Sequence, residues 1–123
     1  MTVRSIRNIP LYDGDLEDAQ GIPAPAQVLK DAIAAADGLL LVTPEYNNSI
    51  PGVFKNAIDW LSRPPADISR VFGGKPVAII GASPGGFGTI LSQEAVAASA
   101  ADIGNETLVW RKPACVSGGN RLR

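Results

Sequence analysis

Two loops hold the residues of this sequence whose types and spacing could do chemistry. The first, Thr43-Pro44-Glu45-Tyr46-Asn47-Asn48-Ser49-Ile50-Pro51-Gly52, places backbone N–H groups, a carboxylate and an aromatic ring within a few residues of each other. It lies just ahead of an expected helix start, where the helix dipole favours negative charge. The second, Gly81 to Thr89, has four glycines in its first eight residues. Such a backbone can pass close to a planar ring or offer unhindered N–H groups to carbonyl oxygens. Each loop also has a plainer reading: a polar turn in which Ser49 caps the next helix, and simple glycine turn geometry. The glycine loop is not a Walker A loop, because no Gly-Lys-Ser/Thr follows, and Gly85, Gly86 and Gly88 lack the G-x-G-x-x-G spacing.

The residues that are missing narrow the chemistry further. The chain contains no histidine, which removes the Ser-His-Asp and Cys-His catalysts and the commonest transition-metal ligand. Cys115 is the single cysteine, so no internal disulfide or cysteine-pair metal centre can form and no metal site is expected. Redox chemistry would have to come from a bound cofactor. Eleven basic and twelve acidic residues are interspersed, giving a net charge of −1 and no field to attract nucleic acid or an anionic membrane. A small ligand is therefore the expected partner. The first residues show neither a basic nor an apolar targeting region, and no apolar run reaches membrane-spanning length, so a cytoplasmic location is expected.

The elements that must position the loops alternate. A chain of 123 residues with 46% apolar content is the size of one ordinary domain. Thr2 to Ile9 alternates weakly and reads as a short strand, followed by a turn-rich loop at Pro10 to Asp15. From Pro25 to Ala36 the spacing of Val28, Leu29, Ala32, Ile33 and Ala36 predicts a helix with one buried face, started by Pro23 and Pro25 and ended at Gly38. Leu39 to Thr43 reads as a parallel strand covered on both faces. Pro51 to Leu61 reads as a helix burying Val53, Phe54, Ala57, Ile58 and Leu61. After a loop at Pro64-Pro65, Lys75 to Ile80 reads as another buried strand, and a third helix begins near Thr89 or Ile90. This order of strand and helix indicates a parallel α/β sheet, in which ligands bind beyond the carboxyl ends of the strands. Both unusual loops sit there.

Taken together, the loops and their flanks resemble a known family. Leu40-Leu41-Val42-Thr43-Pro44-Glu45-Tyr46-Asn47, then Ser49-Ile50-Pro51-Gly52 and Lys55-Asn56-Ala57-Ile58-Asp59-Trp60, are similar to the signature of NADPH-dependent FMN reductases, including the chromate and quinone reductase branch. Gly73-Gly74-Lys75-Pro76 and Ser83-Pro84-Gly85-Gly86-Phe87-Gly88-Thr89 continue the likeness in order, so that it spans Ile9 to Gln93. The resemblance implies a flavodoxin-like three-layer α/β sandwich with a parallel sheet. It implies FMN at the carboxyl edge, with Pro44, Glu45, Tyr46 and Asn47 lining the isoalloxazine and Ser83, Pro84, Gly85 and Gly86 on the opposing loop. NADPH or NADH would be the electron donor, and a quinone, flavin, dye or oxidised metal ion the acceptor. No residue is assigned a proton-transfer role. Glu45 is expected to position, Tyr46 to contact the ring or pack the loop, and Trp60 to pack or help an interface. Family members commonly assemble as homodimers or homotetramers.

Both ends depart from the family pattern. The family's first strand, its Gly-Ser-x-Arg phosphate loop and its first helix have no counterpart here, so the fold is expected to be incomplete, as from a misplaced start or a genuine truncation. In the flavodoxin strand order that first strand is central, and its loss leaves a gap between the Val3 strand and the Leu39 strand. Residues 1–93 are thus expected to form a partial flavodoxin-like domain, with 94–123 a departing tail. Codons permitted for Val96 to Arg123, read one base on, spell a segment similar to the family's, so a frameshift near Glu94 is expected. Trp110 and Cys115 would then have no selected function, and a strand over Thr107 to Trp110 would be accidental. Three readings stay open: an FMN-dependent oxidoreductase, a truncated flavin-free remnant without activity, and a small-molecule binding module without redox chemistry.

Overall fold

The computed structural model describes residues 1–83, 88–102 and 108–109. Their scaffold is a parallel sheet in the order β1-β2-β3, formed by β1 (Leu39–Val42), β2 (Val77–Ile80) and β3 (Leu108–Val109). β1 and β2 pair from Leu39 opposite Val77 to Val42 opposite Ile80, and β2 pairs with β3 from Val77 opposite Leu108. The strand in the tail therefore continues the sheet in the same parallel sense. The flavodoxin-like expectation holds in its incomplete form.

Around the sheet run α1 (Gly14–Gln20), α2 (Ala24–Ala34), α3 (Gly52–Leu61), α4 (Ile68–Phe72) and α5 (Ile90–Asp102), with a 3-10 turn at Pro65–Asp67. α2 starts as its prolines predict, with Pro25 in the first turn. Its buried stripe is Ala26, Leu29, Lys30 and Ile33, whereas Val28 is 61% exposed. The stripe is rotated from the expected one because Lys30 turns inward, where its Nζ pairs with Asp67 at 2.7 Å and donates to the Arg63 carbonyl. At the helix's far end, Lys75 Nζ donates to the Ala34 and Ala36 carbonyls at 2.9 and 2.8 Å, satisfying acceptors that a helix C-terminus leaves open.

Two apolar clusters hold these elements. Leu29, Ile33, Leu61, Val71 and Phe72 join α2, α3 and α4, with Ile6, Ile9, Leu39 and Ile68 packed against them. Val77, Ile79 and Val96 join β2 to α5, with Leu39, Leu41, Ile50 and Phe54 alongside. A fully buried side chain of this kind contributes about 1.5–3 kcal/mol. Trp60 is also fully buried, and its Nε1–H donates to the Pro10 carbonyl at 2.9 Å. That bond satisfies the polar handle of a residue expected only to pack or bridge copies. Tyr12 stacks edge-on against Trp60, with ring centroids 4.9 Å apart, and its hydroxyl donates to Glu17. Glu17 also accepts from Arg63, which holds its carboxyl below the usual range, while donating to Glu17 pushes the Tyr12 phenol up.

Several sequence expectations are corrected here. Thr2 to Ile9 is not a strand: it runs as irregular chain with a turn at Arg7-Asn8, Val3 is 86% exposed, and Ile6 and Ile9 pack on the first cluster. No described strand lies beside it to complete its backbone hydrogen bonds. The strand Leu39 to Val42 is covered on one face only, since Leu40 and Val42 are 46% and 63% exposed. Val53 is exposed on α3, while Ala57, Trp60 and Leu61 are buried. Pro51 occupies the N-cap of α3 without a side-chain bond, so Ser49 is not its cap. α1 begins inside the turn-rich loop expected at Pro10 to Asp15 and runs beyond it, because Asp13 accepts from the backbone N–H groups of Asp15 and Leu16 and acidic residues fill the first turn. α4 likewise forms directly after the Pro64-Pro65 loop.

Candidate functional site at the carboxyl edge of the sheet

The carboxyl ends of β1 and β2 are fastened at one point. Thr43 N donates to the Ile80 carbonyl at 3.0 Å, extending the ladder one residue past the strands, and Thr43 is almost completely buried. Gly81 follows Ile80 and sits against Thr43, where a Cβ would meet the Thr43 carbonyl oxygen at 2.1 Å and Thr89 Oγ1 at 2.7 Å. Glycine is therefore required at the first residue of the glycine loop by packing within the protein. Thr89, Ser92 and Gln93 close the same region as buried polar side chains, with Gln93 Nε2 donating to Thr89 Oγ1 at 2.8 Å.

From this anchor the first loop projects outward as a tight turn. Tyr46 and Ser49 exchange both backbone hydrogen bonds at 3.0 Å, and between them Asn47 and Asn48 have φ of 50° and 62°. Two consecutive left-handed residues between reciprocal bonds make a two-residue type I′ turn, for which asparagine is among the favoured residues. The turn leaves Tyr46 62% exposed, with Asn47 and Asn48 exposed beside it. The loop's base is held differently. Pro44 O accepts from Ser92 Oγ at 3.0 Å and from Thr43 Oγ1 at 2.9 Å, while one Glu45 carboxylate oxygen accepts from Leu91 N and Ser92 N at 3.0 and 3.1 Å.

The structure thus brings Pro44, Glu45, Tyr46 and Asn47 together at the carboxyl edge, and gives them two kinds of surroundings. Pro44 and Glu45 face the protein through their carbonyl and carboxylate, whereas the Tyr46 ring and Asn47 face outward. Ser83 lies half-buried shortly after β2. Pro84, Gly85 and Gly86 lie outside the described residues, as do Trp110 and Cys115. Sequence reasoning missed Thr89, Ser92 and Gln93, which join the two loops. The signal was a cluster of polar residues at a helix start, and it is ambiguous because polar residues are common in any first turn. Asn48 was also missed as a turn-former, although two adjacent asparagines between apolar segments are a usable turn signal.

The described scaffold is a parallel α/β sheet with a hydrogen-bonded polar turn beyond its carboxyl edge, the arrangement expected from sequence. The model of the NADPH-dependent FMN reductase family matches residues 1–116. A 2-hydroxy-1,4-benzoquinone reductase from Burkholderia sp is 53% identical over 88 residues, covering 72% of this chain and 46% of the relative. A quinone reductase from Escherichia coli K12 is 51% identical over 84 residues, covering 68% and 43%. The solved structure of FerB, a flavoenzyme NAD(P)H:(acceptor) oxidoreductase from Paracoccus denitrificans, superimposes with a TM-score of 0.77 at 38% identity, covering 91% of this chain and 59% of that one. The chain belongs to the NADPH-dependent FMN reductase family. It spans about half the length of the curated relatives it matches.

Proposed function

We propose that this chain carries the ring-binding side of an FMN site in an NAD(P)H-dependent oxidoreductase that passes electrons to a small acceptor: a quinone, a flavin, a dye or an oxidised metal ion. The observation that carries the reading is the turn at Tyr46 to Ser49, which holds an exposed aromatic ring and two outward asparagines at the carboxyl edge of a parallel sheet. An isoalloxazine has an apolar face to cover and a polar rim to hydrogen-bond, and these residues suit both needs. Tyr46 would cover the ring, Asn47 would meet its polar rim, and Ser83 to Gly86 would close from the opposing loop.

When bound, FMN would supply the redox chemistry, accepting hydride from the nicotinamide and returning electrons to the acceptor. The chain's own residues have the simpler tasks of orienting the ring and excluding water from one side of it. A histidine-free sequence is compatible with this division of labour, since none of those tasks needs an acid-base pair. The quinone reductase relatives support a small organic acceptor.

A flavin-free remnant is the second reading, and one observation favours it. Leu40, Val42 and Ile80 form an apolar sheet face that is 44% to 63% exposed. Among the described residues, the β1 edge away from β2 also has no partner strand. Such a surface is prone to association with other chains. Purified protein supplied with FMN, NADPH or NADH, and a benzoquinone separates the two readings. Quinone-dependent oxidation of the nicotinamide that also requires FMN supports the enzyme. Protein that neither turns yellow nor accelerates the oxidation supports the remnant.

A further inference from the structure

We infer that Glu45 is the positioning residue of the ring-binding loop, a latch that fixes the loop after β1 to the N-terminus of α5. The inference deepens the flavin reading of that loop and rests on it.

The N–H groups of a helix's first turn have no partner inside the helix and are ordinarily satisfied by a side chain just before it. In α5 that role falls to a residue distant in sequence. One oxygen of Glu45 accepts from both Leu91 N and Ser92 N, at 3.0 and 3.1 Å. A carboxylate there gains from charge-assisted hydrogen bonding and from the helix dipole together. Thr89, the nearer hydroxyl, is occupied elsewhere: it is fully buried, accepts from Gln93 Nε2 and packs toward Gly81. Ser92 then completes the latch from the helix side, its Oγ donating to Pro44 O at 3.0 Å.

The placement of the latch gives it its consequence. Pro44 and Glu45 immediately precede the Tyr46 to Ser49 turn, which its own reciprocal hydrogen bonds close. Little backbone freedom is left between the fastening point and the exposed Tyr46 ring. A single carboxylate thus ties the loop after β1 to the first turn of α5. Glu45 therefore acts on a bound ring through Tyr46 and Asn47, with the carboxylate oxygen described above already engaged by two donors.

The test uses the whole chain and its Glu45→Gln, Glu45→Ala and Ser92→Ala variants, read by amide hydrogen exchange and by the visible circular dichroism and affinity of added FMN. In Glu45→Ala, the Leu91 and Ser92 amides are expected to lose about tenfold or more in protection, and FMN affinity to fall by about tenfold, the scale of a lost charge-assisted hydrogen bond. The visible dichroism of the remaining bound flavin should change shape. Glu45→Gln keeps an acceptor oxygen and should restore part of each signal, and Ser92→Ala should loosen the loop while leaving the Leu91 amide protected. A Glu45→Ala variant that binds FMN with unchanged affinity and dichroism, or whose Leu91 and Ser92 amides keep full protection, overturns the latch. If the unsubstituted chain binds no FMN, the flavin reading fails, and the exchange data judge the latch independently.

Discussion

Gly81 and Thr43 approach so closely that the two loops share a wall: a Cβ on Gly81 would lie 2.1 Å from the Thr43 carbonyl oxygen. Backbone cannot yield as the end of a flexible side chain can. Thr43 is itself held by the Ile80 carbonyl, so the contact fixes where both loops leave the sheet.

Gly81→Ala is therefore expected to destabilise the fold by about 1–3 kcal/mol, the usual cost of overpacking, or by more if the strand ends separate. Gly52→Ala is the matched control, because a Cβ there meets nothing within 4 Å. It lies at the start of α3, where alanine should be neutral or stabilise by about 0.4–1 kcal/mol. Urea midpoints of the two variants should move in opposite directions or differ widely. Equal shifts contradict the close approach.

The turn that presents Tyr46 makes a second demand. Asn48 has a φ of 62°, a conformation that costs a β-branched residue roughly 1–2 kcal/mol. Asn48→Val should lower stability by that amount, and Asn48→Gly should be neutral or slightly stabilising, since Asn-Gly is a preferred pair in this turn type. Urea denaturation of both variants checks the order, and a tolerated valine would rule out the left-handed geometry.

Acid sensitivity should originate at Asp67, which pairs with Lys30 of α2. Asp67 accepts from Arg70 and pairs with Lys30, which holds its carboxyl well below the ordinary aspartate range. A carboxyl whose pKa is lower in the folded state contributes stability at higher pH, and loses that contribution as the pH falls. The loss should begin near the ordinary aspartate value of about 3.9 and continue through the lower folded value. Asp67→Asn is expected to flatten the stability profile below that pH and to lower stability at neutral pH, because fully buried Lys30 loses its carboxylate partner. Chemical denaturation across acid pH measures it, and an unchanged acid limb would place the sensitivity elsewhere.

Much of this was legible in the sequence, for reasons that particular residues make plain. Leu39 to Val42 and Val77 to Ile80 are unbroken apolar runs of strand length, and Pro23 starts a helix as prolines usually do, although α2 ends at Ala34 with Ala35 as its C-cap, short of the stop expected at Gly38. The Pro44 to Asn47 loop was placed correctly at the sheet's carboxyl edge, because parallel topology puts every such loop there. What could not be read depended on distant partners. Lys30 looks like a surface residue until Asp67 and the Arg63 carbonyl are brought beside it, and its burial turns the α2 stripe away from Val28. Glu45 carries no local mark of being a helix cap, since the helix it caps begins 45 residues later at Ile90. Thr2 to Ile9 has a strand's pattern without a described neighbour to pair with, and alternation alone does not supply a ladder.

The measurement that bears most directly on the central claim is a titration of the purified chain with FMN, followed by flavin fluorescence and repeated with Tyr46→Ala. The flavin reading predicts saturable binding with a Kd on the order of micromolar or tens of micromolar. It also predicts weaker binding by Tyr46→Ala at unchanged urea stability, since the Tyr46 ring is mostly exposed. A chain that leaves added FMN unbound across that range, or a Tyr46→Ala variant that binds as well as the original, would contradict the claim that this loop holds the flavin ring.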